Sequence, residues 1–167
     1  EIIEALYAAS AAGVKIELII RGICCLKVGI PHISENISVR SIVGNFLEHA
    51  RIFYFYNDGA EELYMGSADW MPRNLDKRVE IVFPLKDEKI KQQAKHILDI
   101  QLADNLKAHI LQPDGSYEKI DKRWKKMLIC AQDYFCEEAV KNAKQPTDPV
   151  LDHVFIPAEA GIFSDRD

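Results

Sequence analysis

The chain has no apolar run near the roughly 20 residues needed to cross a bilayer, and no basic stretch leading into an apolar segment of the signal-peptide kind. A cytoplasmic location is therefore expected. Cysteine is sparse. Cys24 and Cys25 are adjacent, Cys130 and Cys136 stand apart, and none of the spacings repeats a zinc pattern with suitable histidine partners. Neighbouring cysteines rarely bridge each other, so reduced thiols are expected. Excess positive charge is also lacking: 21 Lys and Arg face 26 Asp and Glu, a net charge of -5. Nothing in that balance draws the chain to nucleic acid, and any phosphate affinity must come from side chains that converge locally. No repeat of 20 to 50 residues is visible. The chain opens at Glu1 inside an amphipathic pattern, which reads as a segment of a longer polypeptide.

A 48% hydrophobic and 28% charged composition over 167 residues suits one well-buried domain of about 1–145, followed by an extended or poorly ordered tail over 146–167 that contains Pro146, Pro149 and Pro157. Ile2, Ile3, Leu6, Tyr7 and Ala9 recur at helical spacing. Val14 to Ile20 is a β-branched and aliphatic run that suits a largely buried, parallel strand. Arg21 then sits at a strand's carboxyl end, the edge where α/β sheets collect ligands. Gly22 to Asn36 reads as a long surface connection and Ser41 to Glu48 as a short helix. Arg51 to Tyr56 and Glu62 to Met65 flank the Asn57-Asp58-Gly59 turn of a hairpin. Trp70 to Asp76 forms a loop and Arg78 to Phe83 a further strand. A helix with an acidic start spans Asp87 to Asp104. Leu106 to Leu111 and Tyr117 to Ile120 flank a Pro-Asp-Gly turn, and a last helix covers Leu128 to Lys144.

The stretch from Gly44 to Glu80 carries the chemistry. His49 is followed two residues on by Arg51, then by Gly66, Ser67, Ala68 and Asp69, then by Asn74 and by Arg78, Val79 and Glu80. Histidine exchanges a proton or phosphoryl group near neutral pH, and arginine grips phosphate oxygens in a bidentate fork. Small residues let backbone N–H groups approach an anion. Phosphoryl chemistry is the reading, with His49 and Arg21 as principal candidates and Arg51, Asn74 and Arg78 in support. Blander roles exist for each: Arg78 and Glu80 can form a solvated strand face, and the Gly-Ser segment can simply turn the chain. His32, His96, His109 and His153 have no motif around them and read as structural or solvated.

The His49-x-Arg51 and Gly66-Ser67-x-Asp69 pattern resembles the histidine motif of the phospholipase D superfamily, departing from it in having Arg51 for lysine and Asp69 for asparagine. The strings VKIELIIRGICCL, SENISVRSIVGNFLEHARIFYF and SADWMPRNLDKRVEIVFPL resemble, more closely, the carboxy-terminal catalytic domain of bacterial polyphosphate kinases. That resemblance implies an α/β, phospholipase D-like mixed sheet flanked by helices, one half of a catalytic module with two half-sites. It implies reversible transfer of the ATP γ-phosphate to inorganic polyphosphate through a phosphohistidine on a preceding domain, with Arg21 and His49 contacting nucleotide phosphates. Magnesium is implied as a cofactor with ligands outside this chain, and a homo-oligomer, loosely associated with the inner membrane, as the state of the whole enzyme. Two other readings stay open: a small phosphodiesterase or nuclease that completes its site by homodimerisation, and a non-catalytic domain that binds nucleotide or polyphosphate.

Overall fold

The computed structural model describes residues 1–121, 123 and 127–144. The expected tail over 146–167 lies outside the described residues. Helix α1 (Ile2–Ala11) precedes strand β1 (Ile16–Ile19), which pairs in parallel with β2 (Ile37–Ile42), Ile16 opposite Ile37 and Ile19 opposite Arg40. β2 pairs antiparallel with β6 (Ala108–Leu111), and β6 with β7 (Tyr117–Lys119), giving a mixed sheet of order β1-β2-β6-β7. The intervening chain builds a separate antiparallel meander of β3 (Ile52–Phe55), β4 (Glu62–Gly66) and β5 (Val82–Pro84), with the short helix α2 (Pro72–Leu75) between the last two strands. Helices α3 (Glu88–Ala103) and α4 (Ala131–Ala143) pack on one another, and α3 also lies on β3 and β4.

Each sheet buries its own apolar cluster, as a pleated surface with alternating side chains requires. Ile37, Val39 and Leu111 of the mixed sheet meet Leu26 and Val28, with Ile3, Leu6 and Tyr7 of α1 packed against them. Leu63, Leu85 and Ala94 form the second cluster, lined by Ile52, Tyr54 and Met65. Asp104, 1% exposed, ties the two halves together. Its Oδ1 accepts from the backbone N–H of Leu106, Lys107 and Ala108 at 3.1, 2.7 and 3.0 Å, and its Oδ2 from that of Ala131 at 2.7 Å. Cys130, the residue before α4, makes no side-chain cap. A carboxylate from 27 residues away does that work instead, where the helix N-terminus favours an anion.

The expected parallel strand after α1, the Asn57 turn, the long acidic-start helix and the Pro113 hairpin are all present. Four expectations are corrected. Ser41 to Glu48 is not a helix: Ser41 and Ile42 end β2, whose Ile37, Val39 and Ile42 are buried, and the chain beyond them has no regular structure. A helix is lost there because the backbone N–H and C=O of Phe46 are both bonded to the side chain of Gln132, a competitor absent from the local sequence. Gly22 to Asn36 is irregular but not wholly superficial. Leu26 and Val28, each 5% exposed, enter the core, while the Tyr7 hydroxyl accepts from the Lys27 N–H at 2.8 Å and Ser34 Oγ from that of Ile30 at 3.0 Å. The bond to Ile30 satisfies a backbone group that burial would otherwise strand, while the bond to Lys27 lies at the surface. Arg78 to Phe83 shortens to Val82–Pro84, and the loop after Trp70 contains α2.

Candidate functional site

β1 and β2 run side by side and end at the same edge, so the loops that follow them are neighbours. Arg21 leaves β1 there, its carbonyl accepting from Ser41 Oγ of β2 at 3.1 Å. The irregular segment after β2 carries His49. Arg21 Nη1 donates to the carbonyl oxygen of Glu48 at 2.8 Å, so the guanidinium is bonded to the backbone of the residue before His49, although 27 residues separate the bonded pair in sequence. Both Arg21 and His49 are exposed to solvent. Arg21 takes part in none of the ion pairs found among the described residues, which leaves its charge open to a ligand.

Arg51 immediately precedes β3 and folds back over His49. Its Nη1 lies 3.3 Å from Nδ1 and its Nη2 3.2 Å from Nε2, so the guanidinium lies across the ring rather than pointing at one nitrogen. Nη1 also donates to the His49 carbonyl at 3.2 Å. Asp69 holds Arg51 from the other side, accepting from Nε at 3.1 Å and lying 3.0 Å from Nη2. The Gly-Ser segment therefore fixes Arg51 through Asp69.

Glu80 completes the group. Gly66 lets the backbone at Ile81 come close, since a Cβ there would lie 2.9 Å from the Ile81 carbonyl oxygen. Ser67 N–H donates to that carbonyl at 3.0 Å, and Ser67 Oγ accepts from the Ile81 N–H at 3.1 Å. Ser67 Oγ also donates to Glu80 Oε2, and Asn74 Nδ2 donates to Oε1 at 2.9 Å. These bonds from Ser67 and Asn74 hold the Glu80 carboxyl below its usual range, with Arg78 and Arg51 acting in the same direction against the opposing effect of burial. Asn74 is 2% exposed, and its Oδ1 is the one buried side-chain polar atom without a partner among the described residues.

Of the residues singled out in the sequence, His49 and Arg51 are in contact and Arg21 bonds the backbone of the residue before His49, while Asn74 and Arg78 gather around Glu80. Three residues carry no sequence signal and were missed: Glu48, Gln101 and Gln132. Glu48 Oε2 accepts from Gln101 Nε2 of α3 and Oε1 from Gln132 Nε2 of α4, each at 2.8 Å. Only a histidine or arginine motif advertises itself locally; an amide arriving from another helix does not.

The family described as Polyphosphate kinase C-terminal domain 2 matches residues 1–132. The polyphosphate kinase of Synechocystis sp. is 52% identical over 151 residues, covering 90% of this chain and 20% of the relative. That of Pseudomonas aeruginosa is 57% identical over 120 residues, covering 72% and 17% respectively. The crystal structure of polyphosphate kinase from Porphyromonas gingivalis superimposes with a TM-score of 0.78 at 41% identity, covering 84% of this chain and 22% of that one. The chain thus spans about a fifth of the length of the curated relatives it matches.

Proposed function

From the premise that the chain belongs to the polyphosphate kinase C-terminal domain family, we propose that it supplies one half of the active site of a polyphosphate kinase, which moves the γ-phosphate of ATP reversibly onto inorganic polyphosphate. The observation that supports this reading is the bond from Arg21, a guanidinium in none of the ion pairs among the described residues, to the carbonyl of Glu48, the residue before the exposed His49. Phosphoryl transfer asks the protein mainly for positioning and charge stabilisation. Arg21 grips the β- and γ-phosphate oxygens. His49 acts as acid, base or electrostatic partner opposite a covalent nucleophile on upstream domains of the same polypeptide, where the phosphohistidine forms. Arg51 backs His49 and carries a charge already balanced by Asp69.

The carboxylates around this site do not suit a magnesium ion. Asp69 is engaged by Arg51, Glu80 by Ser67 and Asn74, and Glu48 by two glutamines; among the described residues no cluster of three or more His, Cys, Asp or Glu side chains is placed to hold a metal. The ion that accompanies ATP takes its protein ligands from outside this chain. No helix among the described residues is long and apolar enough to cross a membrane. Cytoplasmic residence, with the whole enzyme a homo-oligomer loosely held at the inner membrane, remains part of the proposal.

Polyphosphate synthesis, assayed on this chain with and without the preceding polypeptide, tests the reading. Turnover is expected only with the upstream part present, and Arg21→Ala or His49→Ala in that full-length enzyme is expected to reduce it at least about 100-fold. Undiminished synthesis by both variants refutes the site. Phosphodiester cleavage by the chain alone supports a self-completing phosphodiesterase instead.

A further inference from the structure

We propose that Glu48, clamped by Gln101 and Gln132, is a positioning residue that fixes the His49 loop and leaves the Arg21 guanidinium unpaired for its ligand, an inference that rests on the phosphoryl-transfer reading above. The loop cannot be anchored by its apolar side chains, because Val43, Phe46 and Leu47 are 62%, 60% and 70% exposed. Its anchors are polar. Gln132, 6% exposed, offers one carboxamide to three loop groups: Oε1 accepts from the Phe46 N–H at 3.0 Å, while Nε2 donates to the Phe46 carbonyl and to Glu48 Oε1, each at 2.8 Å. Gln101, also 6% exposed, donates to the other carboxylate oxygen. Bonds to a carboxylate are roughly twice as strong as neutral ones. Glu48 therefore joins α3, α4 and the end of β1 through its three oxygens, one residue before His49.

The arrangement also decides which oxygen Arg21 meets. With both carboxylate oxygens occupied by neutral amides, Arg21 bonds the uncharged carbonyl of Glu48 and not its carboxylate. Were that carboxylate released, it could pair with Arg21 and cancel the charge that would hold phosphate. Two losses follow from opening the clamp, one of His49 placement and one of Arg21 charge, and different substitutions separate them.

In the full-length enzyme containing this chain, Gln101→Glu sets two carboxylates against each other and drives Glu48 out. Both kcat and the affinity for ATP are expected to fall, with kcat/KM down about 100-fold, the scale of a misplacement of about 1 Å. Glu48→Gln loosens the clamp but has no charge to give Arg21, so kcat falls while the KM for ATP stays near the parent value. The double variant Glu48→Gln with Gln101→Glu reverses donor and acceptor, leaves the Gln132 contacts in place and recovers most of the activity. Thermal midpoints are measured alongside, with assays run well below each. Parent-like kinetics in both single variants overturn the clamp, as does a double variant no better than the worse single, or a KM that moves equally in both singles. A parent enzyme that makes no polyphosphate overturns the functional reading and the proposal with it.

Discussion

Replacing Gly44 by alanine is expected to be costly for a reason that lies wholly outside the backbone. Gly44 is not in the left-handed region, so alanine is free to adopt its conformation, and stiffening the unfolded chain alone would favour alanine by about 0.4 to 1 kcal/mol. The added Cβ, however, would lie 2.3 Å from Oε1 and 2.8 Å from Cδ of Gln132. The end of a glutamine side chain usually swings aside cheaply. Here it is 6% exposed and holds three bonds, to the Phe46 N–H, the Phe46 carbonyl and the Glu48 carboxylate. Each neutral bond contributes about 1 kcal/mol and the charged one about 1.5 to 3. Water can reclaim part of the loss at this partly exposed loop. The net cost is about 2 to 3 kcal/mol, which for a chain of this size lowers the unfolding midpoint by about 4 to 12 °C. Urea unfolding of the parent chain, Gly44→Ala, Gln132→Ala and the double variant measures it. All three atoms nearest the added Cβ belong to Gln132, so once that side chain is truncated Gly44→Ala should cost little further in that background. An equal penalty in both backgrounds, or none in the parent, would refute the reasoning.

Asp104→Asn replaces an acceptor that serves four backbone N–H groups with one that has a single acceptor oxygen, at a position 1% exposed. It should lower the stability measured by denaturant unfolding by about 1 to 3 kcal/mol; a change within experimental scatter would exclude Asp104 as the tie between α3 and α4. Glu80 titrates below its unfolded value, so the stability it contributes is complete above the ordinary carboxylate range and is lost as pH falls through its depressed folded value. Unfolding midpoints followed from neutral to strongly acidic pH should fall less steeply in Glu80→Gln than in the parent chain, and coincident slopes would contradict the assignment.

Much of the architecture was legible because its causes are local. The run from Val14 to Ile20, apolar except at Lys15 and Glu17, pairs in parallel as read; the burial expected of it is not found, because β1 is the edge strand of its sheet and none of its residues is fully buried. Asp87 starts α3 with its side chain accepting from the Ile90 N–H at 3.1 Å, a cap that can be seen in the sequence. The separation into two sheets was not legible, since it depends on strand pairings between distant segments. Nor was the fate of Ser41 to Glu48, where the expected short helix lost to an amide 86 residues away.

The candidate site divides in the same way. Residue type and spacing alone marked Arg21 as a strand-end cation and His49 with Arg51 as a phosphate-facing pair, because charge, proton affinity and period-two spacing are properties a sequence carries. The bond from Arg21 to the backbone just before His49 was decided by the parallel register of β1 and β2, which brings two strand ends to one edge. The environment of Glu48 was decided later still, by where α3 and α4 pack. Hydrogen bonds act over about 3 Å of space whatever the distance along the chain, so only the folded molecule determines which carboxylate is held and which guanidinium is left free.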